Sequence, residues 1–140
     1  MAEAMLRHLG GERFMACSAG SHPAGFIHAL AEECLHRMGI PISGQSSKSW
    51  DEFVDETVDV VITLCDSAAA EACPAFPGAP LRAHWSLADP TYFPGSDVER
   101  LEFALRIAGR LRTKIEGLVA LDWSRPRAEL QQRLEFLGEI

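Results

Sequence analysis

The sequence predicts an α/β domain, a parallel sheet flanked by helices, spanning residues 1–140 as one unit. Three observations predict it. Strand-like and helix-like stretches alternate along the chain. Val58, Val60, Val61, Ile62 and Leu64 form a near-continuous apolar run, the pattern of a strand covered on both faces. A long helical stripe follows the last strand candidate, with Val98, Leu101, Leu105, Ala108, Leu111, Ile115 and Leu118 at helical spacing.

Met1 to Leu9 reads as a helix, with Met5, Leu6 and Leu9 on one side and Gly10-Gly11 as its stop. Arg13 to Cys17 is a short strand candidate, and Ser18 to Pro23 is a loop by composition. Ala24 to Met38 reads as a helix ended by Gly39. Its stripe of Ile27, Leu30, Ala31, Cys34, Leu35 and Met38 puts Cys34 in the core and leaves His28 and His36 solvated. Ile40 to Ser49 is loop-like. Ser49 and Glu52 form a capping box that opens a short helix from Trp50 to Glu56.

After the apolar strand, Asp66 and Ser67 supply capping chemistry, and Ala68 to Glu71 are good helix formers. Cys73 and Pro74 close that helix. Ala75 to Pro80 is a Pro/Gly loop, and Leu81 to Trp85 a short strand. Its end opens into Ser86-Leu87-Ala88-Asp89-Pro90. Ser96 and Glu99 box the start of the long helix, and Ser124 is placed to cap a last one. There Leu130, Leu134 and Leu137 face inward and Gly138 marks the end.

Composition narrows the function. The net charge is −7, which disfavours nucleic acid or an anionic membrane as partner. No leader and no apolar run near 18 residues stands out, so a soluble cytoplasmic protein is expected. In a reducing cytosol, Cys17, Cys34, Cys65 and Cys73 are redox-active or inert thiols rather than a disulfide framework.

Ligands of open α/β sheets bind beyond the carboxyl ends of the strands. Cys65 and Asp89 both lie just past such ends. A thiol at a strand end and a helix N-terminus is favoured for reactivity, although two buried structural cysteines is the plainer reading. Eight residues of helix span about 12 Å, whereas a disulfide needs Cα atoms within about 7 Å. Cys65 and Cys73 therefore pair only if the helix between them unwinds. Asp89, beside His84-Trp85, suits a general acid; the alternative is an Asp that caps a turn before proline. His84 is either a thiol partner or a packed polar residue. The cysteine spacing does not fit a zinc knuckle.

The segments MAEAMLRHLGG, SAG, GIPISGQSSKS, VITLCDSAAAEACPAFPG and AHWSLADP come in a recognisable order. With them the chain resembles the arsenate reductases built on the low-molecular-weight protein tyrosine phosphatase fold. The resemblance implies reduction of arsenate to arsenite through a thiol relay. A cysteine in a phosphate loop attacks arsenate, and Asp89 protonates the departing oxygen. Cys65 attacks the arseno-cysteine, and Cys73 resolves the disulfide. Thioredoxin or a glutathione-type thiol restores the enzyme, no cofactor is bound, and the complete protein is a monomer. The eight-residue spacing of Cys65 and Cys73 is one wider than in some thioredoxin-coupled members.

Two departures from the family pattern shape the expectation. Family members carry a strand and a Cys-x5-Arg-Ser loop ahead of the MAEA segment, which here begins at Met1. Six positions after its four cysteines stand Pro23, Ile40, Glu71 and Ala79, never Arg. The expectation is an N-terminally incomplete reductase, lacking its first strand and inactive alone. Second, Glu3, Ser18 and Lys48 match positions where some members hold potassium. An ammonium at Lys48 would replace that ion, so no metal is expected. A protein tyrosine phosphatase, a non-catalytic remnant and a general dithiol redox protein are the alternatives.

Overall fold

The computed structural model describes residues 1–20, 25, 27–42, 44–64 and 76–140. The expected helix between Cys65 and Cys73 lies outside them. In order come α1 (Ala2–Gly10), α2 (Ala29–Arg37), β1 (Val60–Thr63), β2 (Leu81–His84), α3 (Asp97–Val119) and α4 (Arg127–Glu139). Short 3-10 turns at Gly11–Arg13, Trp50–Phe53 and Pro90–Tyr92 punctuate them.

β1 and β2 pair in parallel, in the register Val60 with Leu81 through Thr63 with His84. A parallel bridge joins Gly20 to Ser49. On β2, Leu81 and Ala83 are buried while Arg82 and His84 are exposed, the alternation of a strand with one face on the core. All four β1 residues are half-buried rather than enclosed on both faces. Val60, Ile62 and Leu64 pack on the core. Among the described residues, β1 has β2 alone as ladder partner.

α3 is the spine, packing against α1, α2, α4 and the Pro90–Tyr92 turn. Its expected capping box is present: Glu99 N–H donates to Ser96 Oγ at 3.2 Å, and Ser96 N–H to Glu99 Oε1 at 3.3 Å. The core joins Met5 of α1, Cys34 and Leu35 of α2, Trp85, and the inward face of α3 with Leu130, Leu134 and Leu137 of α4. Val98, expected in the α3 stripe, is 67% exposed, because a first-turn residue projects past the end of the packed face.

Several boundaries differ from expectation. Arg13 to Cys17 is not a ladder strand. Phe14 packs edge-on against Trp123, with ring centroids 5.9 Å apart, and Arg7 donates to the Ala16 carbonyl at 3.1 Å. Among the described residues, side chains rather than a neighbouring strand hold this segment. α2 begins at Ala29 instead of Ala24, because Gly25 has φ +89°, outside the helical region. His28 caps it, its Nδ1 accepting from Leu30 N–H at 3.0 Å.

Pro126, not Ser124, stands at the start of α4; Ser124 turns back to Asp122, its hydroxyl donating at 2.5 Å. Gly138 is the penultimate residue of α4, at the end the sequence marks. A Cβ there would come within 2.9 Å of both the His84 carbonyl and the Trp85 ring, so only glycine lets the helix approach β2 this closely. Lys114 of α3 is fully buried and donates to the main-chain oxygens of Leu137, Gly138 and Ile140, at 2.9, 2.9 and 2.7 Å. Its three donors satisfy carbonyls that a helix end leaves without partners.

Candidate functional site

The chain leaves β2 along the end of β1, with Trp85 N–H on the Thr63 carbonyl at 2.8 Å and Leu87 N–H on the Leu64 carbonyl at 2.9 Å. The loop beyond delivers Asp89 to the carboxyl edge of the sheet, where the sequence places it. Asp89 is exposed and caps the Pro90–Tyr92 turn. Its Oδ1 accepts two bonds from Thr91, the N–H at 2.9 Å and the hydroxyl at 2.7 Å. So Asp89 is a turn cap, and it also lines an open cleft. Behind it, Phe93 stacks on Phe103 at 4.3 Å, and Arg100 Nε donates to the Phe93 carbonyl at 3.2 Å, tying the loop to α3.

The cleft, about 250 Å³, lies between the start of α1, the start of α2 and the Asp89 turn, with Met1, His28, Leu30, Thr91 and Ala104 among its walls. His28 is exposed, in keeping with its place outside the apolar stripe. It belongs to this wall because α2 starts later than its apolar stripe suggests. Since Nδ1 accepts from Leu30, the neutral imidazole carries its proton on Nε2. The signal in the sequence was Gly25, which breaks the helix ahead of His28.

His84 sits at the end of β2, its Nδ1 2.7 Å from Thr63 Oγ1 and 3.1 Å from the Thr63 carbonyl. It links the two strand ends from an exposed position. Cys65 and Cys73 lie outside the described residues. Cys34 is completely buried in the core, as expected. Cys17 is exposed, yet its thiol pKa is raised, first by partial burial of the sulfur and then by the Glu3 carboxylate.

Glu3 is the buried acid of the molecule's amino-terminal side, 5% exposed. Two cations meet it: Arg7 at 3.3 Å and Lys48 at 3.8 Å. Lys48 also donates to the Ser46 carbonyl at 3.1 Å. The ammonium of Lys48 thus stands beside the Glu3 carboxylate. No group of three His, Cys, Asp or Glu side chains among the described residues is arranged to hold a metal ion. No helix among them is long and apolar enough to cross a membrane.

Comparison with known proteins gives the lineage. The model of the low molecular weight phosphotyrosine protein phosphatases matches residues 1–120. The chain belongs to this family. Within it, the chain is 32% identical to an arsenate reductase of Halalkalibacterium halodurans over 116 residues, 83% of this chain and 82% of the relative. It is 30% identical to an arsenate reductase of Bacillus subtilis over the same shares. Among solved structures it resembles an arsenate reductase in the oxidized state, with TM-score 0.69 and 28% identity over 85% of each chain. The reduced state of an arsenate reductase matches with TM-score 0.63 and 27% identity, again over 85% of each. The parallel α/β architecture expected from the sequence is the fold of these family members. α4 lies beyond the family match.

Proposed function

We propose that this protein reduces arsenate to arsenite by a cysteine relay, with Asp89 as general acid and Cys65 and Cys73 as the relay thiols. The observation that carries the reading is the likeness to arsenate reductases over more than four fifths of the chain. The position of Asp89 at the cleft edge is consistent with it.

The chemistry balances as follows. A cysteine thiolate displaces one oxygen of arsenate, which leaves as water with the proton from Asp89. The thiol of Cys65 then attacks the sulfur that carries arsenic. The sulfur–arsenic bond breaks, its electron pair goes to arsenic, and arsenite departs. Cys73 attacks Cys65 and releases the first cysteine. The resulting Cys65–Cys73 disulfide takes two electrons from thioredoxin or a glutathione-type thiol. None of Cys17, Cys34, Cys65 and Cys73 has the Arg that marks the family's attacking cysteine, so residues 1–140 account for the acid and the relay. No resident cofactor is needed, since the external thiol supplies the electrons. Such a relay needs a reducing compartment, and the cytosol is the location this proposal implies.

A phosphatase acting on phosphotyrosine is the second reading, favoured by the family model itself. One experiment separates them, using the protein expressed from its own locus. Arsenite release is followed with thioredoxin, its reductase and NADPH, beside hydrolysis of an aryl phosphate. Cys65→Ser and Cys73→Ser should abolish multiple turnover of arsenate, and Asp89→Asn should slow it about 10²- to 10⁴-fold. Aryl phosphate hydrolysis without arsenate turnover, undiminished in Cys65→Ser, would establish the phosphatase instead.

A further inference from the structure

We propose that Thr91 is a positioning residue for the acid: it fixes Asp89 so that Oδ2 carries the transferable proton. This rests on the reading of Asp89 as general acid. Both donors of Thr91, the N–H and the hydroxyl, converge on the same oxygen, Oδ1, at 2.9 and 2.7 Å. Among the described residues Oδ2 has no hydrogen-bond partner. A turn cap needs only the N–H bond. The hydroxyl adds a second bond to the same oxygen, as Ser124 does to Asp122, but here the pair stands in the cleft. Asp89 and Thr91 line the same cleft.

The consequence follows from the strength of hydrogen bonds to charge. While Asp89 is protonated on Oδ2, Oδ1 is a neutral carbonyl oxygen accepting two bonds. In the first step a cysteine thiolate forms a sulfur–arsenic bond, an arsenic–oxygen bond breaks, and the Oδ2 proton leaves with that oxygen as water. Arsenic is not reduced in this step. The same two bonds then reach a carboxylate, and bonds to an ionised acceptor are stronger. They strengthen as the proton departs, with no reorientation of donors. Thr91 therefore favours the transfer itself more than substrate binding.

The test uses Thr91→Val, Thr91→Ser, Asp89→Asn and the double variant Thr91→Val/Asp89→Asn in the protein expressed from its own locus, assayed for arsenate turnover with saturating reductant. Valine keeps the backbone bond and the branched shape but removes the hydroxyl. Because the bond is solvent-exposed, kcat of Thr91→Val should fall about 3- to 10-fold with KM for arsenate within twofold. Thr91→Ser should restore kcat, and in the Asp89→Asn background Thr91→Val should cost nothing more. Wild-type kcat in Thr91→Val, a loss confined to KM, or an equal loss on top of Asp89→Asn would each overturn the role of Thr91. Full turnover in Asp89→Asn would instead remove the general acid, and the proposal with it.

Discussion

Single residues here have consequences that exposure alone does not reveal. Cys17 is exposed, and an exposed thiol is ordinarily an easy target for alkylation. Its pKa is raised by partial burial of the sulfur and by Glu3, so the protonated thiol dominates at neutral pH. The sign is direct: raising the pH toward and past the ordinary thiol range increases the thiolate fraction and therefore the rate. Iodoacetamide should modify Cys17 more slowly than free cysteine at pH 7.5, accelerating up to about tenfold per pH unit. Mass spectrometry of the Cys17 peptide reads this, and a pH-independent or faster rate would contradict it. Asp89 was legible as a residue of interest from its Asp-Pro context after a strand. Thr91 was not, since a threonine two positions on carries no signal until both its donors are seen on one oxygen.

At the scale of elements, the relation of α4 to β2 is the instructive case. In a parallel pair, alternate residues point their backbone groups toward the neighbour. The N–H groups of Leu81 and Trp85 reach Asp59 and Thr63, so Arg82 points outward. Gln131 of α4 meets it as another strand would: Arg82 N–H donates to Gln131 Oε1 at 3.2 Å, and Gln131 Nε2 donates to the Arg82 carbonyl at 2.5 Å. Arg127 donates to the Ala79 carbonyl just upstream, and Gly138 closes over the His84 carbonyl. The helix covers an edge that would otherwise offer itself to another chain. Gln131→Ala should speed hydrogen exchange of the Arg82 amide at least about tenfold while the Ala83 amide, facing β1, is unchanged. Equal exchange at Arg82 in both proteins would argue against the cover.

Capping boxes at Ser49 and Ser96 were legible because their logic spans four residues. The start of α4 was not. Ser124 has capping chemistry, but Asp122 competes for its hydroxyl and its N–H. Arg13 to Cys17 is a strand candidate in the sequence, yet Arg13 ends a 3-10 turn and no ladder forms on the segment among the described residues.

For the whole molecule, the buried Glu3 carboxylate is a tie point. Arg7 links it to the Ala16 carbonyl, and Lys48 links it to the Ser46–Ser49 segment that bridges Gly20. Three stretches distant in sequence thus meet at one side chain that is 3% exposed. Glu3→Gln keeps the shape and removes the charge. It should lower the urea midpoint by the equivalent of about 1–2 kcal/mol at unchanged m-value. The effect should persist in 1 M salt, because the carboxylate is shielded from solvent. A wild-type midpoint, or a loss that vanishes in salt, would show that the cluster contributes only as surface ion pairs do.

The order of residues by itself determined the parallel α/β class, the helices and their inward faces, the Asp89 motif and the family. All of these are written in spacings of a few residues, where periodicity and capping operate. Only the tertiary structure decided that Lys48 meets Glu3, that Gln131, 49 positions from Arg82, completes its hydrogen bonds, and that His28, Asp89 and Thr91 share one cleft. Such meetings depend on how packed helices bring remote segments together, and no local pattern encodes that distance.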